Sequence, residues 1–266
     1  MTGKPSVARA IRAALLTADP YTKAMAVRSL RRDHAAGRLA HVFDVAMPGR
    51  PARPARPELL PPNRMPKRGR GGSERGRIAL VHSLAHIECV AIDLALDMAG
   101  RFGREQDAAF VADWLDVAAD EAIHFALLAR RLRTLGSEYG ALPAHDGLWE
   151  AAQKTSGDLA ARLAIVPMVL EARGLDITPA TAERLRRMGD ERTARILDRI
   201  LADEIRHVRC GTTHFAQLCE SRGCDPAALW KSLVEKHFNG ALKPPFNDSA
   251  REAAGLPRVF YAGIAL

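Results

Sequence analysis

The residues best suited to chemistry occur as a doubled pattern. Asp120-Glu121-Ala122-Ile123-His124 and Asp203-Glu204-Ile205-Arg206-His207 contain the only two Glu-x-x-His matches in the chain. Residues three apart on a helix lie within about 60° of each other on one face, so each Glu and its His can reach a single ion. A chain of this composition would hold an Asp-Glu-x-x-His motif about 0.03 times by chance. Upstream of each motif stands a lone glutamate in apolar surroundings, Glu88 in AHIECVAIDLAL and Glu171 in PMVLEARGL. Each precedes its motif glutamate by 33 residues. The set Glu88, Glu121, His124, Glu171, Glu204 and His207 therefore reads as two helix pairs, each giving one Glu and one Glu-x-x-His. That is the ligand set of a dimetal carboxylate bundle. Four carboxylates and two imidazoles suit two iron ions first, with manganese or a mixed manganese–iron pair as the other choices.

Neighbouring residues carry weaker expectations. Asp120 and Asp203 each stand four residues before a motif histidine. Each is placed to accept a hydrogen bond from an imidazole nitrogen not holding metal. The competing reading is a solvent-facing cap or salt bridge. His82 and His86 lie one turn apart and could bind metal, but Glu88 sits about 120° and 200° round the helix from them. Partnership with neighbouring segments is the simpler role. His214, two turns beyond His207, is expected to line an access channel or to be a satisfied core histidine. Cys210 reads as a small buried filler.

Long helices must position these residues. After Ser73 the pattern predicts four, over about Glu74–Arg101, Glu105–Leu135, Asp146–Gly174 and Asp190–Arg222. At about 1.5 Å per residue each long segment spans roughly 40 Å, enough for a large four-helix bundle. Pro167 must kink or bulge the third. Thr178 and Pro179 predict the N-cap and first position of a separate short helix. Asp225-Pro226 opens another, to about Phe238. Ahead of the bundle, Val7–Leu16 and Pro20–Arg32 read as short amphipathic helices. The run from 48 to 74 is rich in Pro, Gly and Arg and predicts extended or irregular chain. The expected organisation is an N-terminal region of helices and basic arm over 1–73, a bundle over 74–223, and a C-terminal helix and tail over 224–266.

The phrases LAHIECVAIDLAL, ADEAIHF, PAHDGLWE, VLEARGLDITP, DEIRHV and PPFN resemble the ferritin-like di-iron superfamily. Within it they are most similar to a bacterial ferritin-like family catalogued as domain of unknown function 455. The resemblance covers nearly the whole chain. It implies an all-α ferritin-like bundle and the same six ligands. It supplies no substrate, although the doubled Asp-Glu-x-x-His also resembles oxygen-activating hydroxylases, one of them tRNA-modifying.

Composition narrows the classes. The chain has 266 residues, 47% hydrophobic and 26% charged, an ordinary globular balance. No run of eighteen apolar residues predicts a membrane span, and no secretory leader is expected. Cys89, Cys210, Cys219 and Cys224 form no CxxC pair, which fits reduced thiols and a cytoplasmic location. The net charge of +8 is uneven: residues 1–80 hold 17 Lys and Arg against 5 Asp and Glu. Arg50, Arg53, Arg56, Arg64, Lys67, Arg68, Arg70, Arg75 and Arg77 could contact the phosphates of an RNA partner or substrate. No aromatic residues are interleaved to stack bases, and pairing with the acidic body is the alternative.

Function follows from elimination among dimetal proteins. Leu128 occupies the place one turn after His124 where a tyrosyl-radical subunit carries tyrosine, and Tyr21, Tyr139 and Tyr261 lie outside the four predicted helices. A rubrerythrin-like peroxidase would bring a CxxC module. What remains is an oxygen-dependent oxidase or hydroxylase on a small molecule or RNA. It would need a reductase or ferredoxin, since no nicotinamide or flavin motif occurs. A homodimer is compatible with the chain. The rival is a non-catalytic metal-binding, iron-handling or scaffold protein.

Overall fold

The computed structural model describes residues 3–66, 73–238 and 240–263. Among them the regular elements are helices, with two isolated β-bridges and no strand. The described elements are α1 (Val7–Leu15), α2 (Pro20–Ala35), α3 (Glu74–Phe102), α4 (Ala108–Thr134), α5 (Gly147–Lys154), α6 (Leu159–Ile165), a π turn (Val166–Glu171), α7 (Ala172–Arg187), α8 (Glu191–Arg222), α9 (Pro226–His237), α10 (Asp248–Ala253) and α11 (Arg258–Tyr261). The chain divides into two compact units, Met1–Trp149 and Glu150–Leu266, with the division inside α5.

In the first unit α3 and α4 pack along their length as a helical hairpin, with α2 against α4 and α1 against α3. Both long helices start on side-chain caps: Ser73 accepts from Gly76 N, and Asp107 from Phe110 N. From Val81 to Gly100 almost every α3 residue is buried. One 18-residue window of this helix reaches a mean hydropathy of 1.6 with 67% of the window buried, so its length and composition alone would allow it to cross a membrane. The helix passes because it is the core of its unit and is wrapped by neighbours.

Up to residue 66 the arm is a strap rather than a free tail. Leu60 N donates to Ala144 O at 2.8 Å and Ala144 N to Glu58 O at 2.9 Å, so the Pro/Arg-rich segment pairs with the loop after α4. Both segments lie over a polar stripe of α3. In that stripe Asp93 is fully buried and bonded to Lys23 Nζ at 2.5 Å. Arg53 approaches Asp93 at 3.1 Å and Asp146 at 3.8 Å, and Arg50 also pairs with Asp146.

The second unit departs from the expected pattern. The segment predicted as one helix over Asp146–Gly174 is α5, α6, a π turn and the start of α7. Thr178 and Pro179 do not begin a helix but lie inside α7. Pro179 has no N–H to give the carbonyl of Leu175, four residues back. Asn247 Nδ2 bonds that carbonyl instead, at 3.1 Å. The PPFN tail thus supplies the missing donor, and α7 continues to Arg187. Pro167 sits in the π turn, as expected of an inserted bulge. A Cβ on Gly211 of α8 would lie 2.4 Å from Pro167 Cγ, so the glycine makes room for the ring. Trp230 Nε1 of α9 bonds Ala164 O at 3.2 Å, just before the turn. Buried Arg251 forks onto Asp176 at 2.8 and 2.7 Å, between the rings of Phe246 and Tyr261.

Candidate metal centre

The first unit gathers its three predicted ligands. Glu88 lies midway along α3 and Glu121 and His124 midway along α4, so packing the hairpin brings them together. His124 Nδ1 is 3.3 Å from Glu88 Oε2 and 3.3 Å from Glu121 Oε2. Each of the three offers a ligand atom, and these atoms lie within 4.8 Å of one another. All three residues are buried, His124 and Glu121 completely and Glu88 to 4% exposure. Burial raises the Glu88 carboxyl well above the usual range, and the charge of Glu121 adds to the effect. Burial alone would lower His124, but hydrogen bonds and charge from Glu121 and Glu88 outweigh it and push the imidazole up to about 11. Two carboxylates and an imidazole this close, shielded from water, repel or retain protons unless a cation sits among them. The donor set therefore fits a divalent metal.

The second unit carries the matching residues on the broken segment and on α8. His207 Nδ1 is 3.6 Å from Glu204 Oε2, and both side chains are buried. Glu171 ends the π turn, half-buried, and α8 packs on that turn. The turn adds a residue to the helical repeat ahead of Glu171, so the rotation of this glutamate differs from that of an unbroken helix.

A family described as "Protein of unknown function (DUF455)" matches residues 16–262. The chain belongs to it. An uncharacterized protein of Haemophilus influenzae is 44% identical over 205 residues, covering 75% of this chain and 71% of that protein. No solved structure matches.

The remaining sequence-predicted residues of this family member are distributed as follows. Asp120 is half-buried on α4 in the field of Arg31. Asp203 pairs with Arg206 and lies 3.7 Å from Arg199. His82 Nε2 accepts from Gly140 N at 2.9 Å and Leu142 N at 3.4 Å. His86 bridges Tyr139 Oη at 3.0 Å and His145 O at 3.2 Å. Burial lowers both imidazoles to about 4, with Arg53 adding to the effect at His86. These two histidines hold the loop over α3. His214 is buried and contacts Gln217 Oε1 at 3.1 Å. Cys210 is half-buried on α8.

Sequence reasoning missed Tyr139. It stands outside the long helices, yet it packs on His82, His86 and Phe125, the neighbour of His124. Burial raises its phenol far above the ordinary value, with Cys89 adding to the effect. The pair of histidines one turn apart was the available signal, because their buried nitrogens need partners from a loop. In the basic arm Arg50 and Arg53 are committed to Asp146 and Asp93, while Arg56, Arg64 and Arg75 are exposed and Arg77 is half-buried. Lys67, Arg68 and Arg70 lie outside the described residues.

Proposed function

We propose that this protein is a dimetal carboxylate oxidoreductase, with iron as the first choice of metal and dioxygen as the oxidant for a hydroxylation or oxidation. A ferritin-like four-helix bundle, the finer reading of the helical fold, is part of the same proposal. The observation that supports it most is the buried Glu88–Glu121–His124 group, assembled by residues singled out from their spacing alone. The repeat of that spacing in Glu171, Glu204 and His207 supports a second set of ligands. When bound, the ions would supply the electrons and the open positions that dioxygen reduction requires.

The protein's own residues have definable tasks. Glu88 and Glu121 present carboxylate oxygens from two helices. His124 gives a nitrogen from the same face as Glu121. Burial of all three keeps bulk water from competing for the ligand positions. Because no flavin or nicotinamide motif is present, electrons would come from a separate reductase or ferredoxin.

Metal analysis of the full chain grown with iron and manganese tests the ligand assignment. About two ions per chain are expected. Glu121→Ala and Glu204→Ala should each lower that toward one or none. Unchanged stoichiometry in both variants would sink the assignment. Oxygen consumption by the anaerobically reduced, iron-loaded protein then tests the redox part, and none at all favours a metal-binding protein without catalysis.

A further inference from the structure

The far end of α8 holds a pair of thiols that the metal chemistry does not use. Gly223 closes this helix in the left-handed conformation, at φ 61°. Two reverse bonds follow: Gly223 N donates to Glu220 O at 3.1 Å, and Cys224 N to Cys219 O at 3.1 Å. This is a Schellman termination, which brings the side chain one residue past the glycine onto the side chain four residues before it. Here those side chains are Cys224 and Cys219. Cys224 is close enough to add to the rise of the Cys219 thiol that burial causes. Cys224 Sγ also lies 3.7 Å from Cys219 O. Asp225 caps α9 at once by accepting from Ala228 N at 2.7 Å, so the backbone on both sides of Cys224 is held by helix ends.

We propose that Cys219 and Cys224 form a redox-convertible dithiol whose disulfide ties the last turn of α8 to the first turn of α9. The half-buried Cys224 is the entry point. Its thiolate attacks a low-molecular-weight disulfide such as oxidised glutathione, making a mixed disulfide and releasing one glutathione thiolate. Cys219 sulfur then attacks Cys224 sulfur, loses its proton to solvent, and expels the second glutathione thiolate. One S–S bond is formed, one is broken, and two electrons pass from the two cysteines to glutathione. Cys219 is fully buried, and burial pushes its thiol up to about 11, so the intruding reagent meets Cys224 first. The inference is independent of metal binding, since the pair lies three turns beyond His207.

The test uses the full chain equilibrated in glutathione buffers of rising oxidised fraction, then trapped by acid and alkylated. Trypsin cuts at Arg222, between the two cysteines, so their disulfide joins two peptides at a mass two hydrogens below their sum. The Cys210→Ser variant removes the other cysteine of the first peptide. The expected result is that linked pair in wild type and in Cys210→Ser, reversed by dithiothreitol, with two thiols lost in each, of four in wild type and of three in the variant. Cys219→Ser should instead accumulate glutathione on Cys224. The proposal is overturned if wild type itself stops at glutathionylated Cys224 with Cys219 still alkylated. Linkage between chains through Cys224, or four thiols surviving at every ratio, would overturn it equally.

Discussion

The two units set the same ligand pattern on unlike scaffolds. The first uses α3 and α4, two capped and uninterrupted helices of 29 and 27 residues. The second puts Glu171 at the end of a π turn, between a proline in that turn and another inside α7. An unbroken helix satisfies its own backbone, so the first unit is free to bury charge along α3. Pro179 leaves Leu175 O without its helical donor, and the second unit supplies Asn247 Nδ2; Trp230 Nε1 adds a bond to Ala164 O ahead of the π turn. One half sets its buried ions on a regular helix; the other adds local repair of an irregular helix to a buried pair of its own, Arg251–Asp176.

The largest test of that contrast is Asp93→Ala. Asp93 is fully buried between Lys23 and Arg53, and Lys23 is itself 2% exposed. Removing one partner strands buried positive charge, at about 3–5 kcal/mol. Urea unfolding should show the loss, and exposed Asp198, which pairs with the half-buried Arg186, should cost about 1 kcal/mol or less when changed to Ala. Equal costs would show that α3 does not depend on its buried ions.

The metal triad makes a pH prediction of nearly that size. His124 is raised in the folded, metal-free protein, so its stabilising contribution is complete below about 6.5 and fades as pH rises toward about 11. Glu88 is raised as well, and a buried carboxyl with a raised pKa also favours folding less as pH climbs past its ordinary range. Both make metal-free protein lose stability with rising pH. A divalent cation displaces these protons, so its affinity should climb from pH 6 to 8. The slope should approach tenfold per pH unit for each proton released, about 1.4 kcal/mol. Calorimetric titration with Mn(II) in buffers of differing ionisation enthalpy counts the protons. Affinity that stays flat over this range would remove Glu88 and His124 from the site.

Gly211→Ala probes the irregular half. The added methyl would sit 2.4 Å from Pro167 Cγ and 2.5 Å from its Cβ. Overpacking of this kind costs about 1–3 kcal/mol. Pro167→Ala in the same chain should recover much of it, as seen in the thermal midpoint. Failure to recover would mean that the π turn does not owe its place to this contact.

How far these features were legible depends on the physics behind each. The starts after Ser73 and at Asp225-Pro226 and the stop near Gly223 are local, and local residues state them; Asp107, which caps α4, is as local but was passed over for a start at Glu105. The three ligands that meet in the first unit were legible because a regular helix converts spacing directly into a shared face. The fate of Pro179 was not, because the rescuing donor, Asn247, is 68 residues further on. A proline after a threonine is a sound helix start until a distant side chain replaces its N–H. The strap was half-legible: composition showed extended chain, but not that Asp93 and Asp146 would bind Arg53 and Arg50. Two aspartates in the apolar run AIDLALDMAG were the missed hint, since buried acids need cations from elsewhere.

Asn247 gives the smallest effect and the sharpest separation of the two scaffolds. Asn247→Ala removes the donor to Leu175 O and the cap oxygen that accepts from Ala250 N at 3.2 Å. Each loss is worth about 1 kcal/mol. The two can be parted by a double-mutant cycle with Pro179→Ala, which returns a backbone N–H to the position facing Leu175 O. If side-chain repair is what lets α7 run through its proline, Asn247→Ala should cost less in the Pro179→Ala background, leaving only the cap. The coupling should be about 0.5–1 kcal/mol, and Lys23 or Asp93 substitutions in the first unit should show none with either residue. Additive costs for Asn247 and Pro179 would mean that the helix crosses its proline by packing alone, and the contrast between an ion-held and a repaired helix pair would fail at its most local point.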